Sequence, residues 1–243
     1  MRLVPADGYP DEELARLFTA GYEGYFTPMH VDTPTFRFMV DAWDVDLAKS
    51  RVALDGDEPV GIANLGVRGD RGWIGGIGVV PRARRRGVGR LLMEALLAEA
   101  PPTVQLEVLE QNEPAIRLYE SLGFERTRVL EVWSLAEAPH LDARSVDSAP
   151  LGQPGLPWQR EDASLPAEYL RIEVDGGAMV YRERDGRIGV LQLAARDDET
   201  AARLLSRGLP LSYVNVPEGD PASEALARLG GTLDLRQLEL QRR

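Results

Sequence analysis

Residues 73–98 read WIGGIGVVPRARRRGVGRLLMEALLA. The apolar, β-branched run from Ile74 to Val80 is typical of a buried strand, and Pro81 ends it because proline has no N–H for a β-ladder. From Leu91 onward, leucine and alanine recur at helical spacing. The stretch therefore predicts a strand, an arginine-rich glycine turn and a helix.

The turn has the features of an anion-binding site. The first N–H groups of a helix have no partner within the helix, and its dipole is positive at that end. Gly87 and Gly89 let the backbone approach a ligand closely, and five arginines between positions 82 and 90 add charges that pair with phosphate. A solvated basic turn is the alternative, because the glycine spacing is neither a Rossmann fingerprint nor a P-loop.

Composition limits the classes of function. The chain has 243 residues, enough for one large or two small domains, and its net charge of −11 argues against general nucleic-acid binding. The absence of cysteine excludes disulfides, a thiol nucleophile and thiolate metal sites, and we predict no other metal site. No apolar run is long enough to cross a membrane and no signal peptide opens the sequence, so we expect a cytoplasmic protein without a membrane partner.

The charge is distributed unevenly. Residues 7–46 hold nine acids against two arginines, and an acidic region beside a basic turn suits a cationic acceptor and an anionic cofactor. Solvated helix faces would give the same composition. Aromatic residues here, including Tyr22, Tyr25 and Phe26, line a substrate pocket or belong to the core between helix and sheet. The nine acids are Asp7, Asp11, Glu12, Glu13, Glu23, Asp32, Asp41, Asp44 and Asp46.

A second motif, NEPAIRLYESLGF, occupies residues 112–124. It resembles the signature Asn-x-x-Ala-x-x-Leu-Tyr-x-x-x-Gly-Phe of the GNAT N-acetyltransferases. The earlier pattern Arg84-x-x-Gly87-x-Gly89 resembles the acetyl-CoA loop of the same family. Both motifs occur in the family's order and spacing across residues 1–137. The resemblance implies an α/β (α+β) GNAT fold, in which a mixed central sheet is flanked by helices.

The resemblance also implies acetyl-CoA as co-substrate and the backbone that holds it. The pantetheine arm would lie along the central strand at Ile77, Gly78 and Val79, and Asn112 matches an asparagine that contacts the cofactor. The pyrophosphate would lie on the turn. The turn residues are Arg84, Arg85, Arg86, Gly87, Val88, Gly89 and Arg90.

Tyr119 matches the family's tyrosine near the thioester sulfur, which acts as general acid. A phenol has a reference pKa near 10, so it keeps its proton at pH 7 and can donate it to a thiolate. A buried helix tyrosine is the alternative.

The general base that removes a proton from the amine is less clearly indicated. Glu107 lies twelve residues before Tyr119, as in acetylases of protein amino termini, or it orients a water or an arginine instead. Weaker candidates for the base are Glu110, His30 and Asp32.

The resemblance thus implies an N-acetyltransferase that moves an acetyl group from acetyl-CoA to a primary amine by direct attack. The acidic segment favours a cationic acceptor, either a small molecule or a peptide. A non-catalytic acyl-CoA-binding or regulatory module is the alternative function. The sequence leaves the acceptor and the oligomeric state open, and pairing of two copies through the final strands would give a homodimer.

A repeat indicates the domain organisation. We predict a catalytic domain at 1–138, a proline- and glycine-rich linker at 139–159 and a second unit at 160–243. With a shift of 107 residues, the second unit follows the first collinearly, and we interpret it as a shortened, degenerate GNAT-like domain. An unrelated α+β domain is the alternative. Because Leu226 falls where the first domain has Tyr119, we predict a structural role for the second unit and one acetyl-CoA per chain.

Overall fold

The computed structural model describes residues 1–141, 144–146 and 150–243. Among these residues the helices are too short or too polar to cross a membrane. The helices are α1 (Asp11–Gly21), α2 (Thr33–Ala42), α3 (Val88–Glu99), α4 (Glu113–Ser121), α5 (Asp198–Leu205) and α6 (Pro221–Arg228). The strands are β1 (Arg2–Pro5), β2 (Arg51–Asp55), β3 (Glu58–Arg68), β4 (Arg71–Val79), β5 (Thr103–Leu109), β6 (Glu125–Leu135), β7 (Arg144–Val146), β8 (Leu170–Val174), β9 (Gly177–Arg184), β10 (Arg187–Ala195), β11 (Leu211–Pro217) and β12 (Thr232–Arg242).

Residue contacts divide the chain into two units that interleave along the sequence. The first unit contains Met1–Glu107, Pro114–Glu125 and Leu240–Arg243, and the second contains Val108–Glu113 and Arg126–Glu239. The predicted domain boundaries at 138 and 160 were based on the sequence repeat and not on contacts, so they stay a prediction. Within the predicted linker 139–159, residues 142–143 and 147–149 lie outside the described part of the chain.

The first unit is built on strands β1 to β5 in sequence order. Strands β1 to β4 pair antiparallel, and β4 pairs parallel with β5. Helix α1 packs on β3 and β4, while α3 packs on β2, β3 and β4. The apolar face of each helix supplies the core, through residues such as Phe18 on α1 and Leu92 on α3. The predicted strand, turn and helix of residues 73–98 are β4, the glycine turn and α3.

In the second unit the strands follow the order β12-β6-β11-β10-β9-β8-β7. Strands β10 and β11 are parallel, whereas β11 pairs antiparallel with β6. Helices α5 and α6 pack on the sheet, and together they bury a core that includes Trp133 and Leu135 of β6. Each unit therefore includes a parallel strand pair, β4 with β5 in the first and β10 with β11 in the second, beside antiparallel pairs. The predicted α/β class with a mixed sheet is confirmed.

Candidate functional site

In the first unit, β4 and β5 pair over a short length only. Their register covers three residue pairs and ends at Trp73 and Gln105. Both strands continue, but the described residues include no further pair between them. The register of β4 against β3 shifts near Gly76, whose φ is 133°. The strands therefore separate beyond Trp73, and we call this opening the wedge. It leaves backbone of β4 for an extended ligand, which can bind as an added strand.

The start of α3 presents backbone N–H groups. Gly87 precedes the helix with φ of 81°, a left-handed conformation that favours glycine. The first hydrogen bond of this helix runs from the N–H of Leu91 to the carbonyl of Gly87 at 3.1 Å. The N–H groups of Val88, Gly89 and Arg90 therefore precede the helical ladder. A Cβ at Gly89 would meet only Leu118, at 3.7 Å, so the helix start is open to an anion.

Arg84 has a tethering role in the turn. Its guanidinium donates to the backbone carbonyls of Val79 at 2.8 Å, Gly21 at 3.1 Å and Glu23 at 2.6 Å. It thereby connects the turn to the end of β4 and to the end of α1. Sequence reasoning assigned Arg84 to the cofactor, and a run of three arginines gives no signal of which one turns back onto the chain.

The other arginines of the turn differ in what they contact. Arg86 donates to Asp55 at 2.7 Å, and Arg90 donates to the hydroxyl of Ser121 at 2.7 Å. Arg85 is exposed, has φ of 62°, and makes no hydrogen bond or ion pair with the described residues. Arg85 is therefore the arginine of this turn whose guanidinium is available to a phosphate.

The end of α1 lies directly against β4. A Cβ at Gly21 would come within 2.6 Å of the Cα of Gly78, so only glycine permits this approach. The next residue, Tyr22, places its hydroxyl 2.9 Å from where a Cβ at Gly76 would lie. Burial is the largest influence on the pKa of Tyr22 and raises it, while the backbone amide of Ile77 lowers it. Sequence reasoning placed Tyr22 only within a general aromatic cluster, because its neighbour on β4 is distant in sequence.

Tyr119 of α4 belongs to the same group of phenols. Burial raises its pKa, and nearby Tyr25 raises it further. Burial also raises the pKa of Tyr22, with Tyr119 and Tyr25 adding to the effect. All three rings belong to the first unit. A phenol with a raised pKa keeps its proton at pH 7 and can donate it to a thiolate.

Glu107 of β5 is half-buried and held by an indole. The Nε1–H of Trp73 donates to its Oε2 at 2.7 Å, and the ring of Trp73 stands edge-on to that of Trp43 with centroids 5.5 Å apart. Trp73 is the last residue of β4 that pairs with β5, so the carboxylate is fixed beside the start of the wedge. Trp73 was absent from the predicted site residues, because an indole in an apolar strand resembles an ordinary core residue.

The other predicted site residues are Asn112, Glu110, Asp32 and His30. Asn112 and Glu110 belong to the second unit, so the first unit by itself does not bring them to Tyr119. Asp32 caps α2 by accepting from the N–H of Thr35 at 2.9 Å, and its bonds with Thr35 lower its pKa. His30 is exposed. The described residues contain no group of three or more His, Cys, Asp or Glu side chains arranged to hold a metal ion.

Comparison with known proteins identifies a family for part of the chain. The model of the acetyltransferase (GNAT) family matches residues 12–124. Mycothiol acetyltransferase of Thermomonospora curvata is 44% identical over 68 residues, which cover 26% of this chain and 23% of that protein. The ribosomal protein bS18-alanine N-acetyltransferase of Salmonella typhimurium is 38% identical over 78 residues, covering 30% of this chain and 53% of that protein. The chain therefore matches about half or less of the length of these curated relatives.

Solved structures extend the likeness of fold to the whole chain. The GCN5-related N-acetyltransferase of Sphaerobacter thermophilus has a TM-score of 0.70 and 19% identity, with 98% of this chain and 93% of that one covered. A tandem GNAT protein from the clavulanic acid biosynthesis pathway has a TM-score of 0.66 and 14% identity, covering 99% and 97% of the two chains. At these identities the likeness is one of fold. Residues 12–124 therefore match the acetyltransferase (GNAT) family, and the fold of the whole chain is similar to that of a tandem GNAT protein.

Proposed function

We propose that this protein is an N-acetyltransferase that moves an acetyl group from acetyl-CoA to a primary amine. The observation that carries the proposal is the junction of the wedge with the open start of α3. Strand β4 ends at Val79, and the helix begins at Val88. Coenzyme A carries an extended pantetheine arm with two amides, which can bind along a strand, and a pyrophosphate, which can bind at a helix start.

In this proposal the backbone of Ile77, Gly78 and Val79 holds the pantetheine arm, and residues 84–90 hold the pyrophosphate. Within the turn, Arg85 supplies charge and Arg84 supplies rigidity, because its guanidinium is used on three carbonyls. Asn112 remains a proposed cofactor contact on the resemblance to the family signature.

Tyr119 acts as the general acid. The amine nitrogen attacks the thioester carbonyl, a C–N bond forms, the C–S bond breaks, and the Tyr119 hydroxyl gives its proton to the leaving thiolate. The attacking amine must lose a proton, and Glu107 is the proposed acceptor, directly or through a water. Its support is the Trp73 indole, which holds one carboxylate oxygen at 2.7 Å and so fixes the group in place.

The acceptor is proposed to be a cationic amine, on a small molecule or a peptide. Four of the nine acids in residues 7–46 make ion pairs: Asp11 with Arg37, Glu12 with Arg16, Asp44 with Arg68, and Asp46 with Lys49. The other five acids keep the segment negatively charged. A negative segment attracts the protonated amine, which loses its proton only afterwards. Relatives named for an alanine of ribosomal protein bS18 and for peptidyl-lysine support an amine acceptor in general.

The second unit is proposed to have a structural role. Its parallel strands β10 and β11 also pair over three residue pairs only, ending at Val190 and Tyr213. Just beyond, the buried guanidinium of Arg160 donates to the carbonyls of Val190, Leu191 and Val214. The chain itself therefore fills the opening that corresponds to the wedge.

Side chains from both strands hold this filling segment. Gln192 of β10 donates to the carbonyl of Arg160 at 2.9 Å, and Asn215 of β11 donates to the side chain of Gln159 at 2.8 Å. Where the first unit has Tyr119, the aligned Leu226 is fully buried and has no proton to donate. Binding of a second acetyl-CoA would require the Arg160 segment to leave.

A thiol-release assay with acetyl-CoA tests the proposal over a panel of cationic, neutral and acidic amines. We expect turnover with at least one cationic amine, together with binding of acetyl-CoA by calorimetry. Affinity without turnover across the panel would support the alternative function, an acyl-CoA-binding or regulatory module.

A further inference from the structure

We propose that Tyr22 limits the length of the acyl group, so that this chain selects acetyl-CoA over longer acyl-CoA thioesters. The inference rests on the proposed function of the same site and specifies its donor. Its basis is the position of the Tyr22 ring. Tyr22 directly follows α1, and its ring lies against β4 near Gly76, where the register of the strand shifts.

The backbone around Tyr22 is fixed on two sides. Gly21 lies so close to Gly78 that a Cβ at position 21 would be 2.6 Å from the Gly78 Cα. Arg84 donates to the carbonyls of Gly21 and Glu23, the residues on either side of Tyr22. The backbone at Tyr22 cannot move away from β4 without breaking these contacts.

The ring of Tyr22 is also fixed. It stacks on Phe18 with centroids 4.8 Å apart and meets the edge of Tyr25 at 5.1 Å. Its hydroxyl lies 2.9 Å from the Cβ position of Gly76 on β4. Because β4 has glycine at positions 75, 76 and 78, the strand supplies little side chain here, and Tyr22 provides the wall instead.

The acyl group is expected beside this wall. Tyr119 is the proposed proton donor to the thioester sulfur, and it lies close enough to Tyr22 to influence that phenol electrostatically. The acyl carbon is bonded directly to the sulfur, so the carbons beyond it extend past Tyr119 into the region of the three phenols. Each added methylene must displace a ring that is packed against Phe18 and Tyr25, and overpacking of this kind is unfavourable.

Calorimetry with acetyl-, butyryl- and hexanoyl-CoA tests this selection without requiring turnover. We expect the native chain to bind acetyl-CoA more than about tenfold more tightly than hexanoyl-CoA, since added methylenes in a closed site cost at least this much. Tyr22→Ala should bring the ratio close to one. Tyr22→Phe keeps the ring and its stacking, so it should keep the preference. Phe26→Ala, at a 53% exposed ring next to Tyr25, is the control for removal of an aromatic side chain.

An unchanged ratio in Tyr22→Ala would overturn the inference, as would loss of the preference in Tyr22→Phe. Tyr22→Leu, measured in parallel and checked by thermal melting, should also weaken the preference and provides the same test if the alanine variant does not fold. Failure of the native chain to bind acetyl-CoA contradicts the proposed function. Binding of acetyl-CoA with a ratio that Tyr22 does not influence contradicts only the selection of acyl length.

Discussion

The guanidinium of Arg84 donates a hydrogen bond to the backbone carbonyl of Gly21 across 3.1 Å. The residues are 63 positions apart, so one side chain links the turn before α3 to the last residue of α1. The same group reaches the carbonyl of Val79 at the end of β4. The proposed pyrophosphate site, pantetheine strand and acyl wall are therefore connected by a single residue.

Replacing Arg84 and Arg85 separately should distinguish support from ligand binding. Arg84→Ala removes the donor for three carbonyls, so we expect a loss of about 1 kcal/mol in the free energy of unfolding as well as weaker binding of coenzyme A. Arg85→Ala should weaken binding but change stability by less than about 0.5 kcal/mol, because this exposed side chain makes no hydrogen bond or ion pair with the residues that the structure describes. Urea unfolding and calorimetry measure the two effects, and an equal stability loss in both variants would contradict the assignment.

Tyr119→Phe should keep acetyl-CoA affinity and lower turnover. The ring still packs near Phe124, where the centroids are 6.1 Å apart, whereas the hydroxyl proton is lost. Removal of a positioned acid reduces rate by about 10²–10⁴. Pre-steady-state thiol release isolates the chemical step. An unchanged rate for that step would remove Tyr119 from the mechanism.

The stoichiometry of acetyl-CoA should be one per chain and should depend on the α3 turn. Gly89→Glu places a carboxylate at an open helix start, where it competes with phosphate for the same N–H groups. Gly8→Glu adds the same charge at a position with no atom within 4 Å of its Cβ and is the matched control. We expect titration calorimetry to show one site that Gly89→Glu abolishes and Gly8→Glu preserves. Two sites would contradict the role of Arg160 in filling the second unit, and a single site that survives in Gly89→Glu would contradict the α3 turn as the binding site.

The acceptor KM of a cationic amine should rise with salt concentration. The Debye length falls from about 10 Å at 0.1 M salt to about 3 Å at 1 M, which screens attraction by exposed carboxylates. A neutral amine of similar size serves as control, since salt effects on the acetyl-CoA site act on both acceptors. Equal salt dependence for the two amines, or a best acceptor with negative charge, would refute the cationic preference.

Glu131 of the second unit should make stability depend on acid pH. Burial raises the pKa of this carboxyl, but hydrogen bonds from Ser223, Trp133 and Arg236 outweigh burial and hold the pKa below its usual value. A pKa that is lower in the folded state adds stability at pH values above the unfolded pKa. That stability is lost as the pH falls through the folded pKa.

Glu131→Gln should therefore be less stable than the native chain by about 2 kcal/mol at pH 7, and the difference should shrink as the pH falls below about 4. Urea unfolding at a series of pH values measures this difference. Glu239, another buried carboxylate in the second unit, bonds to Arg128, and Glu239→Gln gives a comparison within the same unit. A pH-independent difference for Glu131→Gln would show that packing, rather than charge, decides its effect.

Local patterns predicted the strand, the turn and the helix on which the candidate site is built. The proline after Val80, the left-handed glycine at position 87 and the apolar spacing of α3 are all encoded within one short stretch, so their structural outcome follows from neighbouring residues. The motif around Tyr119 likewise carries its own helix signals. These parts of the fold depend little on distant contacts.

Contacts between distant residues were not predictable in the same way. Nothing in the local sequence distinguishes Arg84, which bonds to carbonyls near residue 21, from exposed Arg85. The local sequence does not distinguish Arg160 from the exposed arginines of the chain. Its side chain is nevertheless buried and donates to backbone carbonyls of β10 and β11. The close approach of Gly21 to Gly78 was not predictable either. A single glycine in a helix and a single glycine in a strand carry no signal that the two positions are in contact.

The membership of β6 in the second unit has a consequence for the integrity of the polypeptide. Trp133 and Leu135 of this strand are buried in the same core as residues from β8 to α6, on the far side of the proline-rich stretch in sequence. A single cut between residues 138 and 158 would therefore leave two pieces that share one core and one sheet. We expect such a nicked protein to remain assembled, whereas a gene truncated there would encode a chain whose strand β6 has lost the partners that bury it.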